Sequence, residues 1–493
     1  MTIPAAQAEA AALLARITGA APIETHISAV FVGAQAAYKL KKAVTLEFLD
    51  FSSLTAREHY TRRELELNRP HAPGLYRAVM PLTRGRDGAL RLGGEGPAED
   101  WVLVMAPLAA DSFLDVIAAR DGLEPAILDA LADMLFALHA AAPVARGIDA
   151  PATMLRVMEG NGRAALSAGL PAARIAAWMT AARDALSLAA PALVARAAEG
   201  RVRRCHGDLH LGNVCLWDGR PTPFDALEFD EDLATIDTGY DLAFLLMDVE
   251  QRVGRAAANR VLNRYVARTG DAGLAAGLPL WLSLRALIRA HVEARPGGDW
   301  ARYLDAAEAY LRPPPPRMLA VGGLQGSGKS RIAFALAPAI GPAPGALVLR
   351  SDEIRKRRFG VAPEEKLPPE AYADPVSRQV FAELFAQAET AGRAGHAVIA
   401  DAVFLDARDR AAIEAAALKA GLCFAGIWLE APLALLKARI AARRGDASDA
   451  TEAVVEDAAR RDPGPIAWPR LPADPDPLPA ARMVLARPAP ASC

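Results

Sequence analysis

MLAVGGLQGSGKSRIAFAL, residues 318–336, decides the fold of the C-terminal third of the chain. Within it, Gly323-Leu-Gln-Gly-Ser-Gly-Lys329-Ser330 matches GxxxxGK[ST] in full. That pattern carries meaning when a strand precedes it and a helix follows. Here the apolar 318–321 reads as a buried strand and 331–336 as a helix. Glycines let successive backbone N–H groups turn toward one point, and the helix N-terminus adds positive dipole there. Such a loop cradles the phosphates of a nucleoside triphosphate, with ATP the expected one. Gly323, Gly326, Ser327 and Gly328 form the cradle. Lys329 is placed to reach the β- and γ-phosphates, and the Ser330 hydroxyl to hold Mg2+. The alternative is a glycine-rich turn without function.

Working outward, further strands are expected over 346–349, 397–400 and 424–429, alternating with helices over 376–393 and 431–444. The 376–393 segment puts Val376, Val380, Phe381, Leu384 and Phe385 on one face, and Pro432 falls in a first turn, where its missing N–H is harmless. Such alternation implies a parallel sheet with helices on both faces, a three-layer α/β domain. RPPPPR at 312–317 can neither continue a helix nor join a sheet, so it reads as a stiff spacer. It divides the chain into 1–312, a spacer at 313–317, and 318–493. The first part differs in pattern. Strands at 29–32 and 37–40 lead to a polar helix over 56–68 and a strand at 101–105. From Asp111 onward the pattern is helical, with 126–139 strongly amphipathic. A small strand-rich lobe followed by a larger helical one gives an α+β class.

Three features beside the loop bear on its chemistry. Asp352, in LVLRSDEIRK, lies just past the second strand, at the carboxyl edge where open α/β sheets bind ligands. A carboxylate there can accept a proton from a substrate hydroxyl; it could equally be a helix N-cap. Asp401 ends the strand AVIAD and can order the Mg2+ shell. Arg439, Arg443 and Arg444 are spaced to present guanidinium groups to a transferring phosphate, or to form a solvated helix face. The loop, RSDEIRK, VIADAVF and the arginines with RRGDASDA resemble the small-molecule P-loop kinases, among them gluconate kinase, chloramphenicol phosphotransferase and the zeta-toxin kinases. The resemblance implies Asp352 as catalytic base, Arg355 as an acceptor contact and Arg443 on the lid.

A second constellation is CHGDLHLGNVCLWDGRPTPFDALEF. Asp208 and Asn213 stand five residues apart on an expected loop, and Asp225 follows twelve residues later. Phosphoryl transfer needs one carboxylate to orient the attacking hydroxyl, plus an amide oxygen and a second carboxylate for Mg2+. Zinc on His206 and His210, with Cys215 as a soft ligand, is a rival. HGDxHxxN resembles the catalytic loop of the aminoglycoside phosphotransferase family, relatives of the protein kinases, over about residues 20–312. That resemblance implies a protein-kinase-like fold, Asp208 as catalytic aspartate, and Asn213 and Asp225 as metal ligands. It implies Lys39, in AAYKL, as the strand lysine on the α/β-phosphates and Glu64, in RRELELN, as its helix partner; Lys41 shares the strand face and competes with Lys39. Glu228 and Asp230 compete with Asp225. Asp241, in the YDLA segment, is implied to hold the helical lobe together. The stretch 28–39 holds only Gly33, so no glycine-rich phosphate loop is recognisable there. The pairing of halves, with ETHISAVFVG, LDFSSL and LNRPHAPGLY, resembles bacterial proteins described as bifunctional aminoglycoside phosphotransferase/ATP-binding proteins.

Composition narrows the rest. A chain of 493 residues, 52 % hydrophobic and 23 % charged, is long enough for several domains and too apolar to be disordered. A net charge of −2 argues against a nucleic-acid footprint. The four cysteines form neither a metal spacing nor a disulfide framework, so a reducing, cytoplasmic setting is expected. No basic n-region and no long uncharged apolar run appear, and no membrane association is expected. No obligate protein partner is evident. Two functions remain open: a Mg2+-ATP phosphotransferase with two nucleotide sites acting on hydroxyls of small molecules, or a degenerate kinase-like sensor regulating a C-terminal P-loop ATPase or kinase.

Overall fold

The computed structural model describes residues 2–46, 49–442 and 446–486. Its contacts divide the chain into two compact units. The first gathers the chain up to Leu123 with Leu138–Ala145 and Val202–Asp241; the second holds Glu124–Ala137, Arg146–Arg201 and everything from Leu242 onward. This partition differs from a cut at the 313–317 spacer, because helices before the spacer pack against the sheet beyond it.

In the first unit, helix α1 (Ala8–Thr18) precedes strands β1 (Ile23–Glu24), β2 (Ser28–Val32) and β3 (Ala37–Lys41). Helix α2 (Leu54–Asn68) is followed by β4 (Tyr76–Arg84), β5 (Leu90–Leu92) and β6 (Ala98–Met105). These strands form an antiparallel sheet in the order β1-β2-β3-β6-β4-β5. Leu13 and Leu14 of α1 pack on Phe31, Leu40, Leu82 and Val102, covering one face. β4 escaped the sequence reading because Pro81 interrupts it, and proline lacks the N–H of a ladder. The sheet accommodates Pro81 opposite Trp101, next to a register shift at Leu82/Thr83. The unit closes with β7 (Val202–Arg204) paired to β10 (Thr235–Asp237), and β8 (Val214–Trp217) paired to β9 (Arg220–Pro223).

In the second unit, helices α3 (Ala150–Ser167), α4 (Ala172–Ala198), α5 (Arg255–Thr269), α6 (Leu278–Val292) and α7 (Trp300–Tyr310) precede an α/β array. Its strands are β11 (Arg317–Gly323), β12 (Leu347–Arg350), β13 (Val398–Asp401), β14 (Cys423–Glu430) and β15 (Arg470–Pro472). All are parallel, in the order β12-β13-β11-β14-β15. Between them lie α8 (Lys329–Leu336), α9 (Ser351–Arg358), α10 (Asp374–Arg393), α11 (Ala407–Lys419), α12 (Leu433–Ala442) and α13 (Glu452–Arg460), with α14 (Leu478–Ala486) last. One sheet face buries Leu319, Val321, Ile427 and Leu429 against Ile332, Ala333 and Leu336 of α8 and Ala481 of α14. On the other, Trp468 stacks edge-on to Phe404 at 5.3 Å and donates to Glu414 of α11 at 2.7 Å. The expected strand–loop–helix order is thus present, with helices on both faces. No helix among the described residues is long and apolar enough to cross a membrane.

Candidate active sites

The first unit draws its ionic groups together through α2 and β3. Ser53 caps α2, its hydroxyl accepting from the Ala56 N–H at 3.1 Å. Thr61, Glu64 and Asn68, one helical turn apart, are all buried on the inner face. The period of a strand puts Lys39 and Lys41 on one face of β3. Both reach Glu64, Lys39 at 2.7 Å and Lys41 at 2.7 Å, on different carboxylate oxygens. Lys39 also contacts Asp225 at 2.5 Å, and Lys41 pairs with Glu228. The sequence left these two lysines as competitors; in the fold they share one carboxylate and differ in the second. Burial opposes charge on Lys39, but Asp225, Glu64 and Glu228 outweigh it and push its pKa well above the usual lysine value. Burial likewise opposes charge on Asp225, and Lys39 overrides it, holding the carboxyl below the usual range. Glu228 goes the other way, raised by burial despite Lys41.

Asp225 is fixed by its backbone. Its φ is +62°, in the left-handed region that non-glycine residues enter at a cost. The Tyr76 hydroxyl accepts its N–H at 2.9 Å, and Asn68 accepts the N–H of Ala226 at 2.9 Å while donating to the Glu64 carbonyl at 2.8 Å. Of the three acidic candidates in this stretch, Glu228 is buried on Lys41, and Asp230 caps a short helix by accepting from the Leu233 N–H at 3.0 Å. The Asp225 side chain stays 43 % exposed.

The loop between β7 and β8 carries Asp208. The Asp241 carboxylate accepts the N–H groups of His206 at 3.2 Å and Gly207 at 2.9 Å, and lies 3.1 Å from His139 Nε2. His206 Nδ1 accepts from the Asp208 N–H at 3.3 Å, and Nε2 faces the Phe224 carbonyl at 3.0 Å. Burial lowers the pKa of this ring, and with both nitrogens engaged it has none for the zinc ion weighed from sequence. Asn213 donates through Nδ2 to the Asp208 carbonyl at 2.9 Å and carboxylate at 3.1 Å. With its nitrogen so committed, the amide oxygen is the atom it can offer a cation. Asp208 is linked to Asp225 through His206 and Phe224, and its carboxylate is 43 % exposed.

In the second unit the phosphate loop spans the end of β11 and the start of α8. Gly323, Gly326 and Gly328 have φ of +133°, +82° and +90°. A Cβ on Gly326 would stand 2.7 Å from the Leu436 carbonyl oxygen, and one on Gly323 2.5 Å from that of Leu429. Neither backbone atom can yield, so glycine is required at both. Ser327 is buried, and its hydroxyl has no hydrogen-bond partner among the described residues. Lys329 donates to the Leu324 carbonyl at 3.0 Å. Ser330 donates to Asp401 at 2.6 Å, pairing the two groups expected at Mg2+. An inward-facing cradle with an unpaired buried hydroxyl, a lysine and a hydroxyl–carboxylate pair fits a Mg2+-bound triphosphate.

Asp352 is the second residue of α9, whose cap position is Arg350 without a side-chain cap bond, so the N-cap alternative for Asp352 does not hold. Burial raises its pKa, against the pull of Arg350 and Lys329. Arg350, which the sequence reading passed over, is the hub: it contacts Asp401 at 3.3 Å, Glu353 at 2.9 Å and Asp446 at 2.9 Å. A charged residue ending the apolar strand LVLR was its signal. Asp449 gathers Lys356 at 2.5 Å, the Leu367 N–H at 2.9 Å and the Tyr372 hydroxyl at 2.6 Å. Arg355 donates to the Ala371 carbonyl at 2.5 Å and lies 4.7 Å over the Tyr372 ring, so its guanidinium is partly committed within the fold. Arg439 donates to the Ala473 carbonyl at 3.1 Å. Arg443 and Arg444 lie outside the described residues.

Residues 93–287 match the family model for the phosphotransferase enzyme family, and residues 318–463 match that for an AAA domain. An uncharacterized protein of Mycobacterium tuberculosis is 28 % identical over 456 residues, covering 89 % of each chain. A choline/ethanolamine kinase family protein from Mesorhizobium loti has a solved structure that is 15 % identical, with TM-score 0.35, covering 62 % of this chain and 94 % of that one. A gluconokinase from Sinorhizobium meliloti is 21 % identical, with TM-score 0.24, covering 34 % and 94 %. The chain thus carries a stretch that matches the phosphotransferase enzyme family, residues 93–287, followed by a P-loop region on a parallel sheet that matches an AAA domain, residues 318–463.

Proposed function

We propose that this protein is an ATP-dependent phosphotransferase with two nucleotide sites, each moving the γ-phosphate of ATP to a hydroxyl of a small molecule. The functional domains would be 1–312 and 318–493, joined by the 313–317 spacer. The observation that carries the reading is Ser330 held on Asp401 beneath the phosphate loop, with the Asp352 helix beside it. In this reading Lys329 and the N–H groups of the loop hold the phosphates, while Ser330 and Asp401 hold Mg2+. Mg2+ supplies charge neutralisation on the phosphate oxygens. The Asp352 carboxylate takes the proton of the acceptor hydroxyl. The acceptor oxygen bonds to the γ-phosphorus, the bond to the β-phosphate oxygen breaks, and ADP leaves. Arg443 is proposed to face the transferring group.

In the first unit Lys39, held by Glu64, takes the α/β-phosphates. Asn213 and Asp225 take Mg2+, and Asp208 orients the attacking hydroxyl. The short Lys39–Asp225 contact supports placing those roles on these two residues rather than on Lys41 and Glu228. The second reading makes the first unit a ligand sensor, and the single glycine across 28–39 favours it.

The test is ADP release by the full chain across a panel of small-molecule alcohols, with phosphorylated products read by mass. Two sites predict that Asp208→Ala and Lys329→Ala each remove one part of the turnover. Complete loss in Lys329→Ala with Asp208→Ala silent would overturn the two-site reading in favour of the sensor.

A further inference from the structure

Strand β12 lies at the edge of the parallel sheet, so one row of its backbone groups has no neighbouring strand among the described residues. An open edge of this kind recruits other chains unless it is covered. Here α5 covers it. Asn263 accepts from the Val348 N–H at 2.6 Å and donates through Nδ2 to the Ala346 carbonyl at 3.2 Å. One carboxamide thus gives the edge the donor and acceptor that a peptide unit of another strand would give. Asn259 adds a second donor to Ala346 at 3.1 Å, and Asn263 Nδ2 also lies 3.0 Å from Asn259 Oδ1. Both asparagines are almost fully buried, at 1 % and 2 % exposure. Polar side chains so placed, one turn apart on α5, are costly unless each bond is made.

The same helix grips the segment beyond β12. Arg357, near the end of α9, donates to the Ala267 carbonyl at 2.9 Å. Arg264 bridges Asp133 at 2.8 Å and Glu364 in the loop after α9. Between these tethers stand Arg350, two residues beyond Val348, and Asp352, four beyond it. The phosphate loop, by contrast, hangs from β11, with β13 between it and β12. Helix α5 belongs to the stretch matched by the phosphotransferase family, and β12 and α9 to the stretch matched by the AAA domain.

We propose that Asn259 and Asn263 are positioning residues for the P-loop site: they complete the β12 edge and so set where Arg350 and Asp352 stand relative to the phosphate loop. The inference rests on the phosphoryl-transfer reading of that site. It is specific in what it leaves alone. Nucleotide binding, built on β11, α8 and Asp401 at the end of β13, should be nearly independent of α5, whereas turnover should depend on it.

The full chain serves for the test, with Asn263→Ala, Asn263→Asp and Lys329→Ala. The readouts are Mg2+-ATP affinity, Lys329-dependent ADP release, and amide hydrogen exchange over 346–358. Asn263→Ala should leave the ATP dissociation constant within about twofold and lower kcat about tenfold, while exchange over 346–358 quickens. Asn263→Asp keeps the acceptor for the Val348 N–H, so it should recover part of the lost kcat and protection. Parallel loss of affinity and turnover would show a merely structural role and overturn the proposal, as would unchanged kcat and exchange. If the unaltered chain shows no Lys329-dependent turnover, the phosphotransfer reading fails by itself. In that case unaltered protection over 346–358 in Asn263→Ala would still overturn the positioning, and its loss there, with ATP affinity kept, would support it.

Discussion

Replacing Lys41 by Met should destabilise the first unit strongly. Lys41 is 1 % exposed and stands between two buried carboxylates, Glu64 and Glu228. For a pair 2.7 Å apart, Coulomb's law with an effective dielectric near 20 gives about 6 kcal/mol per contact. Part of this is offset because methionine no longer has to desolvate an ammonium group. Breaking a buried pair while leaving its partners charged costs about 3–5 kcal/mol. Lys39 cannot take over, since it is already committed to Glu64 and Asp225. At about 2–4 °C per kcal/mol for a domain of this size, Tm should fall by roughly 6–20 °C. The loss should also depend on pH. Burial already raises the Glu228 pKa, and removing Lys41 removes its main opposing charge. A carboxyl whose folded pKa exceeds its unfolded value stabilises below the unfolded value and loses that contribution as pH rises through the folded one. Lys41→Met should therefore be closest to the parent in acid, and the gap should widen as pH climbs past the ordinary glutamate value of 4.5. Glu228→Gln added to Lys41→Met should recover part of the deficit, giving a positive coupling in a double-mutant cycle. Urea and thermal unfolding of the full chain from pH 4.5 to 8 measure all of this. A Lys41→Met chain within about 1 kcal/mol of the parent at neutral pH, or additive behaviour with Glu228→Gln, would refute the reasoning.

The second unit yields two further expected outcomes. Gly326→Ala must hold φ near +82° with its methyl against the Leu436 carbonyl, a strain on the order of 1–3 kcal/mol, so affinity for a fluorescent ATP analogue should drop about ten- to hundredfold; unchanged affinity would count against the loop as the nucleotide cradle. Asp352 must be ionised to take a proton, and its pKa is raised by burial, so Lys329-dependent turnover should rise with pH through a midpoint above 3.8. Asp352→Asn should remove that limb and about 10²–10⁴ of the rate, and a variant with the parental profile would clear Asp352 of the role.

Much of the second unit was legible because its signals are local. Strand, glycine loop and helix are adjacent in sequence, and the positive φ of Gly326 is a property that glycine alone supplies cheaply. The same holds for Asp208 and Asn213, five residues apart on one loop, whose bond at 2.9 Å needs no distant element. The single-glycine stretch at 28–39 was equally visible, and so was the choice between Lys39 and Lys41 as a choice.

Which of the two meets Asp225 only the tertiary structure shows. Whether Lys39 or Lys41 meets Asp225 depends on how α2 and the 224–226 turn are set against β3, and these lie up to 186 residues apart in sequence. Strand β4 needed its neighbours before Pro81 could be read as tolerated. Arg350 became a hub only when β13 brought Asp401 beside β12. Asn259 and Asn263 read in sequence as unremarkable polar positions on a helix. They acquire meaning because α5 lies along an open sheet edge, where buried backbone groups need partners that no local pattern specifies.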